Sequence, residues 1–395
     1  MNMDAWQWTF VNDLSSLSDE LRSSLVQEKD TSSPFLTINF LQLLADSKSV
    51  DGDSGWNSQH IMIAKDGQCI ALIPCYLKTH SYGEYVFDHA WASAYHQHGL
   101  AYYPKLVCGI PFTPVTGARA LINKQAVDSG LNETLIFDYL SQKAHEITEA
   151  ANASSLHSLF LDHSVSDAIK QKNMHQRLSV QFVWHNKAYS NLDDFMQQLT
   201  SRKRRSIRKE RAPFNSETST KRVTVETLYA DSLDQTVMDA FYLCYQQTYL
   251  KRSGHKGYLS ADFFANLLET MRDNICIVAG FKDGIMIAGS LFFYNEHRLY
   301  GRYWGALDDI SGLHFECCYY RGIEFAIAKN IQIFNPGTQG EHKILRGFEP
   351  TFCYSNHYMR EPAFDRAVLD FVTRERPAIE QYHAHTCELL PFKEK

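Results

Sequence analysis

The sequence predicts an α/β (α+β) protein of two tandem units, each a mixed sheet flanked by helices, which face a shared cleft. Three observations lead to this expectation. The chain of 395 residues is long enough for two or three domains of roughly 150 residues each. Its 44% hydrophobic and 13% aromatic content supports a sizeable core and argues against disorder. The same order of helix, hairpin, helix and strand is predicted once in each half.

The first half, placed at residues 1–165, holds the first copy of this order. Ser33-Pro34 offers a cap and a first-turn proline before apolar residues at helical spacing. The segment HIMIAKDGQCIALIPCYLK then predicts two strands joined at Asp66-Gly67, a pair that tight hairpins favour. A helix over 132–151 and a strand over 156–161 complete the unit.

The second half, placed at residues 175–395, repeats the order. Its predicted elements are helices at 234–251 and 260–271, a hairpin that turns at Asp283-Gly284, a strand at 298–305, a helix at 313–329 and a strand at 331–334. Because the repeat is internal, we expect the two halves to be copies of one α/β unit.

A basic segment, SRKRRSIRKER (Ser201–Arg211), begins the second half. It holds seven Lys/Arg against one Glu, and Ile207 is its only large apolar residue. Helix formers dominate, so the segment predicts a helix without an apolar stripe. This helix is either a solvated face or a surface for the phosphate groups of a ligand, with Arg204, Arg205 and Arg208 as contacts.

Charge and cysteine content indicate the cellular compartment that we expect for this protein. The formal charge is −6, and the nine cysteines are scattered without a C-x-x-C pair, which is typical of reduced thiols in a cytoplasmic protein. The acidic N-terminus does not resemble a signal peptide, and we expect no transmembrane segment because no apolar run reaches about 18 residues. No metal site is predicted.

Several segments carry a family resemblance. They are YLKTHSYGEYVFDHAWASAYHQHGLAYYPKLVCGIPFTPVTGARAL in the first half, and GRYWG, LHFECCYYRGIEFAIAKN, GTQGEHKILRGFEP and YSNHYM in the second. Over about residues 33–392 the chain resembles the bacterial peptidoglycan biosynthesis/recognition family, a FemAB-like branch of the GNAT superfamily. The resemblance implies two tandem GNAT-like domains and N-acyltransferase activity, with an acyl or aminoacyl group moved to an amine of a cell-wall precursor or another phosphate-bearing substrate.

Two superfamily motifs can be carried over to this sequence. Arg204 to Lys209 fits the R-x-x-I-R-K pattern. His342 to Gly347 falls in the F-K-x-x-F-G frame, where the resemblance implies that Lys343 lies at the acyl-transfer site; His342 and Arg346 replace aromatic positions. The junction WGALDDISGLHFE lacks the glycine cluster that would bind a CoA pyrophosphate. The donor therefore stays open between aminoacyl-tRNA and an acyl-thioester such as acyl-CoA, and no cofactor is required.

The chemistry can also be argued from the residues themselves. Acyl transfer to an amine needs a base, an oriented carbonyl and a cation for the oxyanion. Glu341 and His342 are candidate bases and Lys343 the cation; on an extended segment Glu341 and Lys343 share a face, either as a catalytic pair or as a structural ion pair. Glu316 is a further catalytic candidate, one helical turn from Tyr319 and Tyr320.

Further residues are candidates for substrate binding. In the first half a group of polar and aromatic side chains suits either a wet cleft that binds a peptide or sugar, or an ordinary interface. These residues are His80, Tyr85, Asp88, Trp91, Tyr103 and Lys105. In the second half the candidates are Arg302, Trp304, Tyr320 and Arg346.

Two other functions stay open, and so does the oligomeric state. One is a non-catalytic protein that recognises peptidoglycan precursors. The other is a metal-dependent hydrolase with ligands drawn from His314 and Glu316, from Glu341 and His342, or from His80 with Glu84 and Asp88. None of these sets has the spacing of a helix-borne H-E-x-x-H site.

Overall fold

The structure, a computed structural model, describes residues 3–28, 32–170, 172–214, 223–338 and 340–393. The chain forms two compact units. The first is Met1–Val180 with Phe352–Gln381, and the second is Gln181–Thr351 with Tyr382–Lys395.

These units differ from the predicted domains 1–165 and 175–395 in one respect. Residues 352–381 belong to the first unit and not to the second. The reason is their pairing and packing, because Ser155–Leu161 pairs with residues 354–359, and Val368 and Val372 pack on Trp91.

The first unit contains most of the short elements. Its strands are β1 Trp6–Val11, β2 Leu25–Val26, β3 Trp56–Ser58, β4 His60–Lys65, β5 Gln68–Ile73, β6 Cys75–Lys78, β7 Lys105–Cys108, β8 Leu121–Asn123 and β9 Ser155–Leu161. Its helices are α1 Asp19–Ser24, α2 Ile38–Asp46, α3 His89–Gln97, α4 Lys124–Asp128, α5 Glu133–Gln142, α6 Ala144–Ala150 and α7 His163–Lys170.

The strands of the first unit form an antiparallel sheet in the order β1-β4-β5-β8-β2 and a mixed arrangement in which β9 is parallel to β7. The predicted hairpin at Asp66-Gly67 is confirmed, with φ of 52° and 78° at the two residues, the left-handed values that such a turn needs. The helix predicted at 132–151 is divided between α5 and α6, and α2 is capped by Thr37 rather than Ser33.

The remaining elements follow in chain order. The strands are β10 His175–His185, β11 Val223–Tyr229, β12 Ile275–Lys282, β13 Ile285–Tyr294, β14 Arg298–Ala306, β15 Ile333–Asn335 and β16 Glu349–Met359, of which β10 and β16 run from one unit into the other. The helices are α8 Leu192–Gln197, α9 Ser201–Arg211, α10 Gln235–Ser253, α11 Ala261–Met271, α12 Leu313–Phe315, α13 Arg321–Ala328 and α14 Pro362–Glu388. A π-helical turn, Glu316–Tyr320, joins α12 to α13.

The sheet of the second unit has one parallel pair. Strands β11 to β14 are antiparallel, with the second predicted hairpin at Asp283-Gly284 confirmed. Strand β15 is parallel to β14, but their pairing ends at Tyr300 and Asn335, whereas β14 continues to Ala306. The carboxyl ends of such strands border the crevice where α/β sheets bind ligands.

Helix α10 lies very close to the free end of β14. A Cβ atom added at Gly305 would overlap with backbone atoms of Cys244 and Tyr245, so only glycine allows this approach. The predicted α/β class, with mixed sheets flanked by helices, is therefore confirmed for each unit, and the shared cleft stays a prediction.

Candidate active site

Lys343 lies in the turn that follows β15, the 3-10 helix Glu341–Arg346. Its side chain is buried, with 2% of its surface exposed, and its Nζ donates a hydrogen bond to the Gly337 carbonyl at 2.6 Å. Burial, together with the nearby charge of Arg302, lowers the pKa of Lys343 to about 7. An anion formed beside this amine would therefore favour its charged form.

Two imidazoles lie near this turn. His342 is half-buried, and its Nε2 is 2.8 Å from the Tyr319 hydroxyl. Burial lowers the pKa of His342, and the charges of Arg346 and Lys343 act in the same direction. Burial lowers the pKa of His314 to about 3, and its ring centroid is 6.1 Å from that of His342. Both rings are therefore unprotonated at neutral pH, and the low pKa of His314 makes it a weak base.

Strand β14 carries Arg302 and Trp304, and its register against β13 shifts at Arg302, between Gly301 and Tyr303. The Trp304 ring lies edge-on to His314, with centroids 5.2 Å apart. Both rings line a cavity of about 210 Å³, together with Lys251, Arg252, Asp308 and Asp309. The structure thus brings Trp304 close to an imidazole, and it places Arg302 near enough to Lys343 to influence its pKa.

The extended geometry that was expected for Glu341 to Lys343 is wrong. A 3-10 helix has three residues per turn, so residues two apart do not share a face. Glu341 is exposed and accepts a hydrogen bond from the Tyr382 hydroxyl at 2.9 Å. Among the ion pairs within the described residues, none joins Glu341 to Lys343. A role for Glu341 as the catalytic base stays a prediction without geometric support.

Glu316 is held by arginines and not by the tyrosines expected. Arg211 donates to both of its carboxylate oxygens, at 2.9 Å and 2.8 Å, and Arg321 Nε lies 3.0 Å from Oε1. The side chain is 2% exposed. Because both oxygens are occupied by guanidinium groups, Glu316 is poorly placed to act as a base. A cavity of about 670 Å³ borders this ion-pair cluster.

The basic segment is a helix, as predicted, and its two sides differ. The inner side carries Ile207, which is buried, and Arg211, which pairs with Glu316 and Glu324. On the outer side Arg205 and Arg208 are exposed. Arg204 is turned back onto the chain, where its guanidinium donates to the Leu199 carbonyl at 2.6 Å. Of the three predicted phosphate contacts, Arg205 and Arg208 are therefore accessible.

In the first unit some of the predicted binding residues are buried and the others are half-buried. Lys105 is fully buried; its Nζ lies 2.7 Å from Glu84 Oε2 and contacts Asp88, which also accepts a hydrogen bond from the Tyr102 hydroxyl at 2.6 Å. Burial opposes its charge, but the two carboxylates outweigh burial and raise the pKa of Lys105.

Trp91 is also buried, against two histidines. The expected wet cleft is therefore wrong for Asp88, Trp91 and Lys105, which form an interior network. His80, Tyr85 and Tyr103 are half-buried.

Some residues of the site were missed at the level of sequence. The sequence indicates His314 only as a metal ligand, Tyr319 only as a neighbour of Glu316, and no separate role for Glu210 or Arg211. Glu210 and Arg211 have a signal, since they follow Ile207 at helical spacing and so mark the inner face of the basic helix. The contact of Tyr319 with His342 has no signal in the sequence beyond the place of Tyr319 on a predicted helix.

The described residues offer neither a metal-binding cluster nor a membrane-spanning helix. That part of the chain holds no group of three or more His, Cys, Asp or Glu side chains arranged to bind a metal ion. In the same residues, no helix combines the length and apolarity that a bilayer span needs.

The sequence was compared with known families. Residues 13–394 match the FemAB-like family, described as peptidoglycan biosynthesis/recognition, and the chain belongs to that family. No protein of curated function matches the sequence.

Solved structures are similar to this chain at low sequence identity. A conserved protein of unknown function from Bacteroides thetaiotaomicron is similar with a TM-score of 0.51 at 11% identity, over 89% of this chain and 99% of that chain. FemX has a TM-score of 0.49 at 11% identity, over 91% and 98%. A tandem GNAT protein from the clavulanic acid biosynthesis pathway has a TM-score of 0.44 at 8% identity, over 90% and 99%.

We expect Glu316→Gln to destabilise the second unit by on the order of 3 kcal/mol, because Arg211 and Arg321 would lose their shared buried carboxylate. Glu341→Gln, a change at an exposed carboxylate, should stay within about 0.5 kcal/mol of the unaltered chain. Denaturant unfolding followed by circular dichroism measures both. Equal losses in the two variants would contradict the structural role of Glu316.

Proposed function

We propose that this protein is an N-acyltransferase that moves an acyl or aminoacyl group onto an amine, with Lys343 at the reaction centre. The observation that carries the proposal is the burial of the Lys343 amine, beside two imidazoles of lowered pKa, in the turn that follows the parallel strand β15. Membership of the FemAB-like family supports transfer as the reaction class.

The proposed reaction assigns a task to each group. His342 takes a proton from the acceptor ammonium, and the freed amine attacks the donor carbonyl carbon. The carbonyl oxygen becomes an oxyanion, which the Lys343 ammonium stabilises more than it does the neutral carbonyl. Collapse of the tetrahedral intermediate expels the donor's hydroxyl or thiol, and that leaving group takes up a proton.

The donor is proposed to be aminoacyl-tRNA rather than an acyl-thioester such as acyl-CoA. Asp308 and Asp309 line the cavity beside Trp304 together with Lys251 and Arg252, so the charges of this cavity offset one another and do not favour a pyrophosphate. The exposed Arg205 and Arg208 offer a separate place for phosphate groups. The acceptor is proposed to be an amine of a cell-wall precursor or another phosphate-bearing molecule, with the reaction in the bacterial cytoplasm and no added cofactor.

A protein that recognises wall precursors without transfer is the second candidate, because the family description covers both biosynthesis and recognition. Incubation with charged tRNA and an amine-bearing precursor, followed by mass spectrometry, separates the two. Aminoacylated precursor supports the transferase, whereas tight binding with no product supports recognition.

We expect Lys343→Met to lower kcat by about 10²–10³, the usual cost of losing one oxyanion donor, while KM for the acceptor changes little. Lys343→Arg should restore little activity, because a planar guanidinium does not replace a compact ammonium. Steady-state kinetics measure this, with Lys329→Met, an exposed lysine at the end of α13, as the control. Unchanged turnover per folded Lys343→Met molecule would exclude Lys343 from the reaction.

The paired change Arg205→Ala and Arg208→Ala should weaken binding of tRNA and reduce the slope of log affinity against log salt by up to about 2, since each phosphate contact contributes close to one. Thermal stability should change little, because both side chains are exposed. Filter binding at several salt concentrations measures the slope. An unaltered slope would mean that the outer side of α9 is only solvated.

A further inference from the structure

Glu210 lies on the inner side of α9, where it meets two buried groups. Its Oε2 accepts a hydrogen bond from the Tyr320 hydroxyl at 2.6 Å and lies 2.7 Å from Arg346 Nη2. Tyr320 is 1% exposed and Arg346 is 4% exposed, so both depend on this carboxylate for a partner in the interior. Glu210 is the single acidic residue of the basic segment, and it faces inward.

Arg346 extends this contact to the reaction centre. Its Nη1 donates to the His342 carbonyl at 2.8 Å, and its guanidinium carbon lies 3.6 Å from the centroid of the Phe315 ring. The Phe315 ring is in turn 5.5 Å from the His342 ring. Arg346 therefore fixes both the backbone and the ring environment of His342, the residue directly before Lys343.

We propose that Glu210 is a positioning residue for the transfer reaction: through Arg346 it holds the 341–346 turn in the geometry that places His342 and Lys343. This inference rests on the proposed function. Glu210 also neutralises the guanidinium charge of Arg346. Without that carboxylate, the Arg346 charge would act directly on His342. Helix α9 carries Glu210 on its inner side and Arg205 and Arg208 on its outer side. The two sides of α9 are thus connected through one helix to the 341–346 turn.

Glu210→Gln keeps the size of the side chain and removes its charge. We expect kcat to fall about 10- to 100-fold with KM for the acceptor within about threefold, because a displaced reaction centre loses rate before it loses binding. Glu269→Gln, an exposed carboxylate on α11, is the matched control and should leave both constants unchanged. Tyr320→Phe removes one hydrogen bond without leaving a charge, and should give a smaller loss of kcat in the same direction.

A double variant tests whether Glu210 acts through Arg346. In an Arg346→Met background, Glu210→Gln should lower kcat by less than about twofold more, since its route to the turn is already lost. Imidazole NMR of His342 gives a readout that needs no turnover. In Glu210→Gln the pKa of His342 should fall further below its ordinary value, because the Arg346 charge is no longer neutralised.

Lower stability with unchanged kcat per folded molecule, additive effects in the double variant and an unchanged His342 titration would overturn the proposal and leave Glu210 a structural residue. If the unaltered chain transfers nothing to any amine, the proposed function fails instead. The His342 titration still decides the role of Glu210 in that case, so the two failures are distinguishable.

Discussion

The buried amine of Lys343 depends on one neutral contact, the hydrogen bond to the Gly337 carbonyl. Removing an ammonium from water is costly unless a countercharge is close, and among the described residues no carboxylate lies within ion-pair distance of Lys343. The surrounding fold maintains this arrangement. The turn follows strand β15, Gly305 lets α10 approach β14, and Arg346 connects the turn to α9.

Each unit contains a buried lysine, and the two lysines differ in their environment and in the direction of their pKa shift. Lys105 in the first unit has Glu84 and Asp88 as partners, which raise its pKa and fix its charge. Lys343 has a carbonyl, and burial lowers its pKa to about 7. The first arrangement holds a structure together, because its charges are matched before any ligand arrives. The second becomes favourable when negative charge develops nearby, as it does in acyl transfer.

The structural features that were predicted correctly from the sequence are those that depend on residues close together in the chain. Both Asp-Gly hairpins and the basic helix need only neighbouring residues, and all three were confirmed. The turn around Lys343 was predicted as extended, although the glycines at 340 and 347, with φ of 108° and 81°, mark its two ends. The ion pair between Glu210 and Arg346 joins residues 136 positions apart, and no local pattern specifies such a partner. The same holds for the carboxylates that enclose Lys105.

The pKa of Lys343 tests the central claim most directly. A ¹³C-lysine NMR titration of the unaltered chain should show a side-chain signal that titrates near pH 7 and is absent from Lys343→Met. Lys78, whose pKa burial also lowers to about 7, should give a second such signal that Lys78→Met removes. A Lys343 signal that titrates near 10.5, the ordinary value, would contradict the account. The amine would then be solvated or already matched by negative charge in the resting protein, contrary to the buried, unmatched environment described for it.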